Sequence, residues 1–395
     1  MNTNGLRLET NGGIPRRILL TIIVMATLTV ANLHYNVPLL EAIRSDLGIT
    51  ALQANLITVL TQGGYAVGLL FVVALGDLMD ARKVIVVNFC ILSLALLMMA
   101  VGPGIGWLWA AALLTGVSSV AVQMYVPLVS RYSRPQDKGR NVGYVVSGLL
   151  VGVLLARTLG GLVGGWTGWR WLYGGVALLM GLCALFTLRL LPSMQAAFRG
   201  SYRELLLSIA GIVRQMPHIL TSALRSACAF AAFNVLWGCL AFHLAGEPFY
   251  AGSQTAGLLG LCGLLTSVAV AGMGKYVDHW GVRRFNWGGF LLMAGAWAVL
   301  GWWGHGYAGL IIGIVLLDVG QQCVGVANQS HVLALRPEAS SRINTVYMTI
   351  LFVGGMMGTL AAGLCWTLAG WAGAVGAGLA LVMAGAAIGW IGKIK

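Results

Sequence analysis

The sequence predicts an all-α membrane protein of twelve spanning helices arranged as two like halves. Three observations predict it. First, 58% of the residues are hydrophobic and only 9% are charged, where a soluble chain carries roughly a quarter charged residues. Second, the charges cluster: no Asp, Glu, Lys or Arg occurs in 47–76, 84–130, 248–274, 285–317 or 343–392. Third, a short loop is written twice. One copy is Gly76-Asp77-Leu78-Met79-Asp80-Ala81-Arg82-Lys83, and the other is Gly274-Lys275-Tyr276-Val277-Asp278 continuing to Gly281-Val282-Arg283-Arg284. Arg134-Pro135 with Arg140 is echoed at a similar offset by Arg336-Pro337 with Arg342. Internal doubling in a membrane chain points to a transporter.

A spanning helix needs about 20 apolar residues. The expected spans are 18–40, 52–75, 84–102, 107–130, 142–165, 171–190, 219–244, 253–273, 285–303, 307–329, 343–364 and 372–391. The two longest charge-free stretches each hold two helices, with turns at Gly102-Pro103-Gly104 and near Gly370-Trp371. Residues 1–17 read as a cytoplasmic tail, 18–191 as an N-terminal six-helix bundle, 192–217 as a cytoplasmic linker and 218–395 as a C-terminal six-helix bundle. The first apolar stretch is too long for a signal-peptide core and is kept as a span. In the linker, the pattern from Glu204 to Ile212 suits a short surface helix.

The formal net charge of +13 invites a nucleic-acid reading, but its placement argues against one. With the N-terminus inside, 20 of the 24 Lys/Arg fall at cytoplasmic ends or loops. That is the asymmetry of the positive-inside rule, so the basicity marks topology. It places both termini of a multi-pass membrane protein on the cytoplasmic side. The seven cysteines all lie in apolar runs without a CxxC and read as packed side chains. No metal-ligand spacing, nucleophile elbow or phosphate loop is present. No enzyme activity, cofactor or metal is therefore expected, and one chain holding both halves reads as a monomer.

The paired loops resemble the signature of the major facilitator superfamily, roughly Gly-x-Leu-x-Asp-Arg-x-Gly-Arg-Arg between its second and third helices, with a weaker repeat between the eighth and ninth. Gly76, Leu78 and Asp80 match, and so do Gly274, Asp278, Gly281, Arg283 and Arg284; Ala81 stands where Arg is usual. Ala31-Asn32-Leu33-His34-Tyr35-Asn36-Val37-Pro38, Leu154-Leu155-Ala156-Arg157-Thr158, Gly168-Trp169-Arg170-Trp171 and Arg342-Ile343-Asn344-Thr345-Val346-Tyr347 narrow the likeness. They are similar to twelve-helix drug:proton antiporter-like members, the arabinose-efflux-type permeases. The resemblance implies the major facilitator fold and proton-coupled efflux of a drug-like compound, siderophore or sugar by alternating access. Two departures stand out. Ala112-Leu113-Leu114-Thr115-Gly116 lacks the Arg that many exporters carry in the fourth helix, and Arg157 stands where the antiporter signature has Pro. Proton coupling cannot be carried over from residues that are absent.

Candidate working residues follow from polar groups in apolar spans. Asp318 lies about 11 residues into the tenth span, roughly 16 Å deep. A carboxylate there faces a cavity or a partner and can bind a proton, being neutral in one state. Gln322, Gly325 and Gln329 share its helical face. Arg157 is expected to seal an outer seam or to pair with Glu41 or Asp318. The small residues Gly148, Gly152, Ala156, Gly160 and Gly164 beside it read as a packing ridge between the halves. His34 is the third proton-coupling candidate, because imidazole titrates near neutrality. Asn32, Tyr35 and Asn36, with Ser119, Gln123, Asn234, Trp237, Gln322 and Gln329, are candidates to contact a small-molecule substrate. Gly76, Asp77, Asp80, Arg82, Gly274, Asp278, Gly281, Arg283 and Arg284 read as gating motifs that hold the cytoplasmic face shut in one state. An importer or facilitator of a polar solute, and a transport-inactive sensor or assembly partner, stay open as alternatives.

Overall fold

The computed structural model describes residues 8–194, 200–264, 266, 279–336 and 339–391. Its elements are all helical among the described residues. In chain order they are α1 (Arg16–Ala31), a 3-10 turn (Val37–Leu39), α2 (Leu40–Leu47), α3 (Ala51–Leu78), α4 (Ala81–Val101) and α5 (Ile105–Ser118). A second 3-10 turn (Ser119–Ala121) leads into α6 (Val122–Tyr132), α7 (Lys138–Thr167) and α8 (Trp169–Leu190). Then come α9 (Tyr202–Gln215), α10 (Pro217–Ala245), α11 (Ser253–Leu259), α12 (Val282–Trp303), α13 (Tyr307–Leu335) and α14 (Ser340–Ile391). α14 is two helical arms around the non-helical Ala369 and Gly370, the latter at φ +55°. The sharp turn expected near Gly370 is therefore a single glycine in the left-handed region, where other residues are strained. The eighth span is helical at Ser253–Leu259 and closes in tight turns to Gly263; residues 267–273 of it lie outside the described residues.

Two expected spans are broken. The first ends its α-helix at Ala31, because the Asn32 side chain bonds the carbonyls of Leu28 and Thr29 at 2.9 and 3.1 Å. A side-chain amide that takes helix carbonyls offers the backbone a way out of the helix. Pro38, with no N–H to give, follows in the 3-10 turn. The fourth span is interrupted at Ser119–Ala121 and carries Pro127 inside α6. Side-chain caps mark three helix starts. Thr50 and Gln53 form a capping box at α3, Asp80 caps α4, and Ser201 with Glu204 caps α9.

Each half has its own apolar core. Ile22, Leu92, Leu108 and Tyr125 belong to one, and Leu236, Trp297, Leu310 and Ile314 to the other. Outside these cores large apolar side chains stand in the open: Leu94 is 63% exposed, Leu178 69% and Trp302 84%. A surface of that kind is stable only against hydrocarbon.

The halves meet along two seams, both made by glycine. On one, a Cβ at Gly161 of α7 would lie 2.4 Å from the Ser253 carbonyl and 2.6 Å from Gly257 Cα of α11. On the other, α3 packs on the first arm of α14, where Gly63 meets Met356 and Gly363 meets Leu52. At one end of the bundle the halves pack directly on each other. Leu40 and Ala54 of the first half share a buried cluster with Ala241 and Phe242 of the second, and Val37 joins the core of the second half. This end is the closed face. The other end carries Asp80, Arg134 and Arg336 and is the motif face. There α9, longer than the helix expected from Glu204 to Ile212, buries Leu205, Ile209 and Ile212. The two isoleucines pack with Ile219, Val332 and Ile343 of the second half. The Tyr202 hydroxyl of α9 donates to the Phe71 carbonyl of α3 at 3.0 Å.

The expected ridge is displaced by one step around α7. Gly148 and Gly152 receive Ile23, Thr27 and Val30 of α1; Gly160 receives Tyr35 and Gly164 receives Leu39. These contacts lie within the first half. The row that faces the second half is Arg157, Gly161 and Gly165. Both rows have the four-residue spacing, and spacing alone does not say which partner each one meets. Gly161→Ala is expected to destabilise the seam by about 1–3 kcal/mol, the usual overpacking cost, and to lower the melting temperature. Gly288→Ala, where an added Cβ meets nothing within 4 Å, serves as the matched control and leaves it unchanged or higher.

Candidate functional site

The helix crossing of α7, α10, α11 and α13 gathers a charge cluster inside the bundle. Arg157 comes from α7 and is 4% exposed. Its guanidinium carbon lies 3.9 Å from the centroid of the Trp237 ring and 5.1 Å from that of Phe233, both on α10. Cation–π contacts of this kind strengthen when water is excluded. Gly260 makes the room: a Cβ there would lie 2.9 Å from the Arg157 Cβ. Asp318 comes from α13 and is 6% exposed. Its Oδ2 accepts from the Thr266 hydroxyl at 3.5 Å, and the Gly263 backbone leaves it space.

Arg157 and Asp318 influence each other electrostatically, yet among the described residues no ion pair joins them. Arg157 Nε, Trp237 Nε1 and Asp318 Oδ1 are buried without hydrogen-bond partners. Opposite charges thus share a water-poor compartment without neutralising each other. Each orphaned buried polar atom costs about 1–3 kcal/mol, more when charged. These orphaned groups make the crossing the candidate site. Of the two partners expected for Arg157, Glu41 is taken: it binds Arg44 through both oxygens at 2.6 Å.

A second polar bridge joins the halves nearby. Gln62 of α3 donates to Asn234 of α10 at 2.7 Å and accepts from Thr359 of α14 at 3.4 Å. Beside it, Phe352 packs 4.3 Å from Tyr65 and 5.5 Å from Phe230, ring centre to ring centre. The Gln123 amide donates to the Tyr65 hydroxyl at 2.8 Å. Thr266, Gln62, Thr359 and Phe352 escaped the sequence reading. For Gln62 the signal was available, because Asn55, Thr58 and Gln62 form an i, i+3, i+7 polar stripe in a charge-free span.

The remaining candidates divide. His34 is half-buried and close enough to Arg157 to feel its charge, while Tyr35 is buried against Gly160. Asn32 and Asn36 do not face the other half. Asn32 donates to Met180 Sδ of α8 at 3.4 Å, and Asn36 donates to the Thr58 hydroxyl of α3 at 3.0 Å. Both turn into the first bundle because the helix unwinds at residue 32 and rotates that face inward. Ser119 is fully buried and bonds the Thr115 carbonyl at 2.7 Å, so it is taken up by local structure. On α13, Gln329 donates to Asn344 of α14 at 3.0 Å, and Gln322 is half-buried.

The first loop motif binds its own half. Asp80 Oδ1 accepts from the backbone N–H of Arg82 at 3.0 Å and of Met194 at 2.9 Å, and Oδ2 accepts from the Ser193 hydroxyl at 2.7 Å. Arg82 donates to the Leu188 carbonyl at the end of α8. A Cβ at Gly76 would lie 3.0 Å from Met124 Sδ of α6. These contacts fasten the α3–α4 loop to α8 and the start of the linker, not to the second bundle. In the second copy Gly281 opens α12 at φ +80°. Arg283 lies near enough to the buried Arg225 to repel it, and Arg284 is exposed. The Asp77 side chain, Gly274 and Asp278 lie outside the described residues.

Two pseudo-repeated helical bundles, with buried polar groups where they cross and apolar side chains on the outside, define a membrane transporter. The chain belongs to the Major Facilitator Superfamily, whose family model matches residues 19–359. It is 35% identical over 376 residues to the "Uncharacterized transporter YgaY" of Escherichia coli, covering 95% of each chain. It is 33% identical over 378 residues to the "Probable transporter SCO4007" of Streptomyces coelicolor, covering 94% of this chain and 88% of the relative. Solved structures share the fold. A mutant of the nucleoside transporter NupG superposes with a TM-score of 0.76 at 15% identity, over 94% of this chain and 99% of that one. A bacterial homologue of the human lysosomal transporter Spinster, inward-facing and occupied, superposes with a TM-score of 0.77 at 15% identity, over 96% and 97%. Transporters of this superfamily bind small molecules within the membrane.

The bridge across the halves has a measurable worth. In a double-mutant cycle, Gln62→Ala and Asn234→Ala are expected to show a coupling of about 0.5–1 kcal/mol in thermal or denaturant unfolding, the range of interhelical hydrogen bonds in membranes. Asp80→Ala, which removes a helix cap, is expected to cost about 1 kcal/mol in the same assay.

Proposed function

We propose that this protein is a secondary active transporter of the drug:proton antiporter-like kind, exporting a small organic molecule across a bacterial inner membrane in exchange for protons. One observation carries the reading: Asp318 and Arg157 are buried together at the crossing of the halves without an ion pair between them. A buried carboxylate that no cation neutralises is the group whose charge a proton can switch. In the charged state it interacts with Arg157; in the neutral state Arg157 and Trp237 are free to hold a solute acceptor. Asp318 is the proton carrier, Arg157 and Trp237 hold the solute, and His34 lies beside them on the exchange path. Phe233, Gln123 and Gln322 complete the lining.

The positive-inside placement of Lys and Arg puts the motif face in the cytoplasm. The closed face is then outer, and this conformation faces inward. Alternating access follows from rocking of residues 18–191 against 218–395 about the two glycine seams. Rocking toward the outward-facing state brings the two loop motifs together across the cytoplasmic face, where Arg82, Arg283 and Arg284 can pair with Asp77, Asp80 and Asp278.

An importer or facilitator is the second reading, and the 112–116 stretch favours it. The Arg that many exporters place there is missing, and a Cβ at Gly116 would lie 2.0 Å from the Thr61 carbonyl, so this stretch of α5 serves close packing.

In proteoliposomes, Asp318→Asn is expected to abolish uptake driven by a pH gradient while keeping solute-induced Trp fluorescence changes. Unchanged gradient dependence in the variant would remove Asp318 from the proton path. Trp237→Leu is expected to weaken solute binding roughly tenfold, the order of one lost cation–π and stacking contact in a dry site. Counterflow without a gradient separates exchange and facilitation from proton-driven export.

A further inference from the structure

A groove of about 1040 Å³ runs between α1 and α7, away from the charge cluster. Its mouth is at the motif face and its floor reaches Thr27. From Arg16 to Thr27 the helical rise is roughly 16 Å, about half the ~30 Å hydrocarbon thickness. The groove is therefore one leaflet deep.

Its chemistry changes along that depth. The mouth is lined by Arg16, Arg134 and Arg140 with Asp137. Arg140 pairs with Asp137 at 2.9 Å, and Arg134 bonds the Gly12 carbonyl at 3.5 Å. Among the described residues neither Arg16 nor Arg134 has an ion-pair partner. The floor is mostly apolar: Leu20 is 51% exposed and Val151 46%, with Ile23 between them, beside Ser147 and a Thr27 whose hydroxyl donates to the Ile23 carbonyl at 2.9 Å. Tyr144, 51% exposed, stands at the level between charge and floor.

We propose that this groove holds one anionic glycerophospholipid of the motif-face leaflet. Its phosphate sits at Arg16 and Arg134, and an acyl chain lies along Leu20, Ile23 and Val151. Free phosphate fits the mouth but leaves the apolar floor bare. A neutral lipid covers the floor but leaves the arginines without an anion. Basic clusters at the membrane surface attract anionic lipids by about 1 kcal/mol per residue. The groove adds a slot that holds the lipid in one place. Because α1 and α7 pack through Gly148 and Gly152, a lipid wedged beside them braces the first bundle. The inference is independent of what the transporter carries.

The test uses the full chain in nanodiscs of phosphatidylcholine containing phosphatidylglycerol, released into native mass spectrometry. The wild type is expected to keep one phosphatidylglycerol in preference to phosphatidylcholine. Arg16→Gln combined with Arg134→Gln should weaken that retention about thirtyfold, two charges at roughly fivefold each. Val151→Trp, which leaves the arginines in place and fills the floor, should lose it as well. Both variants are compared at a melting temperature matched to wild type in phosphatidylcholine alone. Equal retention in wild type and both variants overturns the proposal. So does displacement by excess inorganic phosphate, which would mark a plain anion site, or a gain of lipid on deleting residues 1–7, which would mark the chain's own segment as the occupant.

Discussion

The arrangement depends on two opposite charges held inside a bilayer-spanning bundle without touching. Arg157 is turned onto the faces of Trp237 and Phe233, while among the described residues Asp318 has a long bond to Thr266. In an apolar medium such charges attract strongly, so their separation has to be enforced. Gly257 of α11 and Gly260 just beyond its end lie against the backbone and Cβ of Arg157, and the guanidinium is held on the Trp237 face. Each buried polar atom left without a partner there carries a desolvation cost that a closed ion pair would not.

The same glycines line the contact between the halves. Each half carries its own apolar core, so each can keep its shape while the other turns. Between them lie narrow strips in which backbone meets backbone, as at Gly161 on Gly257, or a single amide reaches across, as Gln62 reaches Asn234. Close packing without interlocked side chains gives contact that can be exchanged for a different contact at low cost. α9 spans both halves at the motif face through Tyr202 on one side and Ile209 and Ile212 on the other. It is thus a tether as well as a connector.

Much of the candidate site was legible because the bilayer makes polar residues conspicuous. Asp318 and Arg157 stand out in apolar runs, but among the described residues neither of the two partners expected for Arg157 forms an ion pair with it. Asn32 and Asn36 were misplaced because helix periodicity was carried through a segment where Asn32 bonds its own helix carbonyls. Ser119 was misplaced for the same reason: its hydroxyl is used by Thr115 within a broken helix. Gln62 was visible as a polar stripe but carried no charge to draw attention, and Thr266 and Thr359 look like any membrane threonine.

By itself the sequence determined the all-α class, the doubling of the chain and where most of its apolar helices lie. These follow from hydropathy, loop motifs and rise per residue, all of which are local. Only the tertiary structure decided which glycine row of α7 faces the other half and that Trp237 takes the Arg157 guanidinium. It also decided that the first loop motif binds its own bundle, and that one face is closed. Those are matters of helix rotation and crossing. A turn of a helix by one residue, about 100°, leaves every local pattern intact and changes every partner.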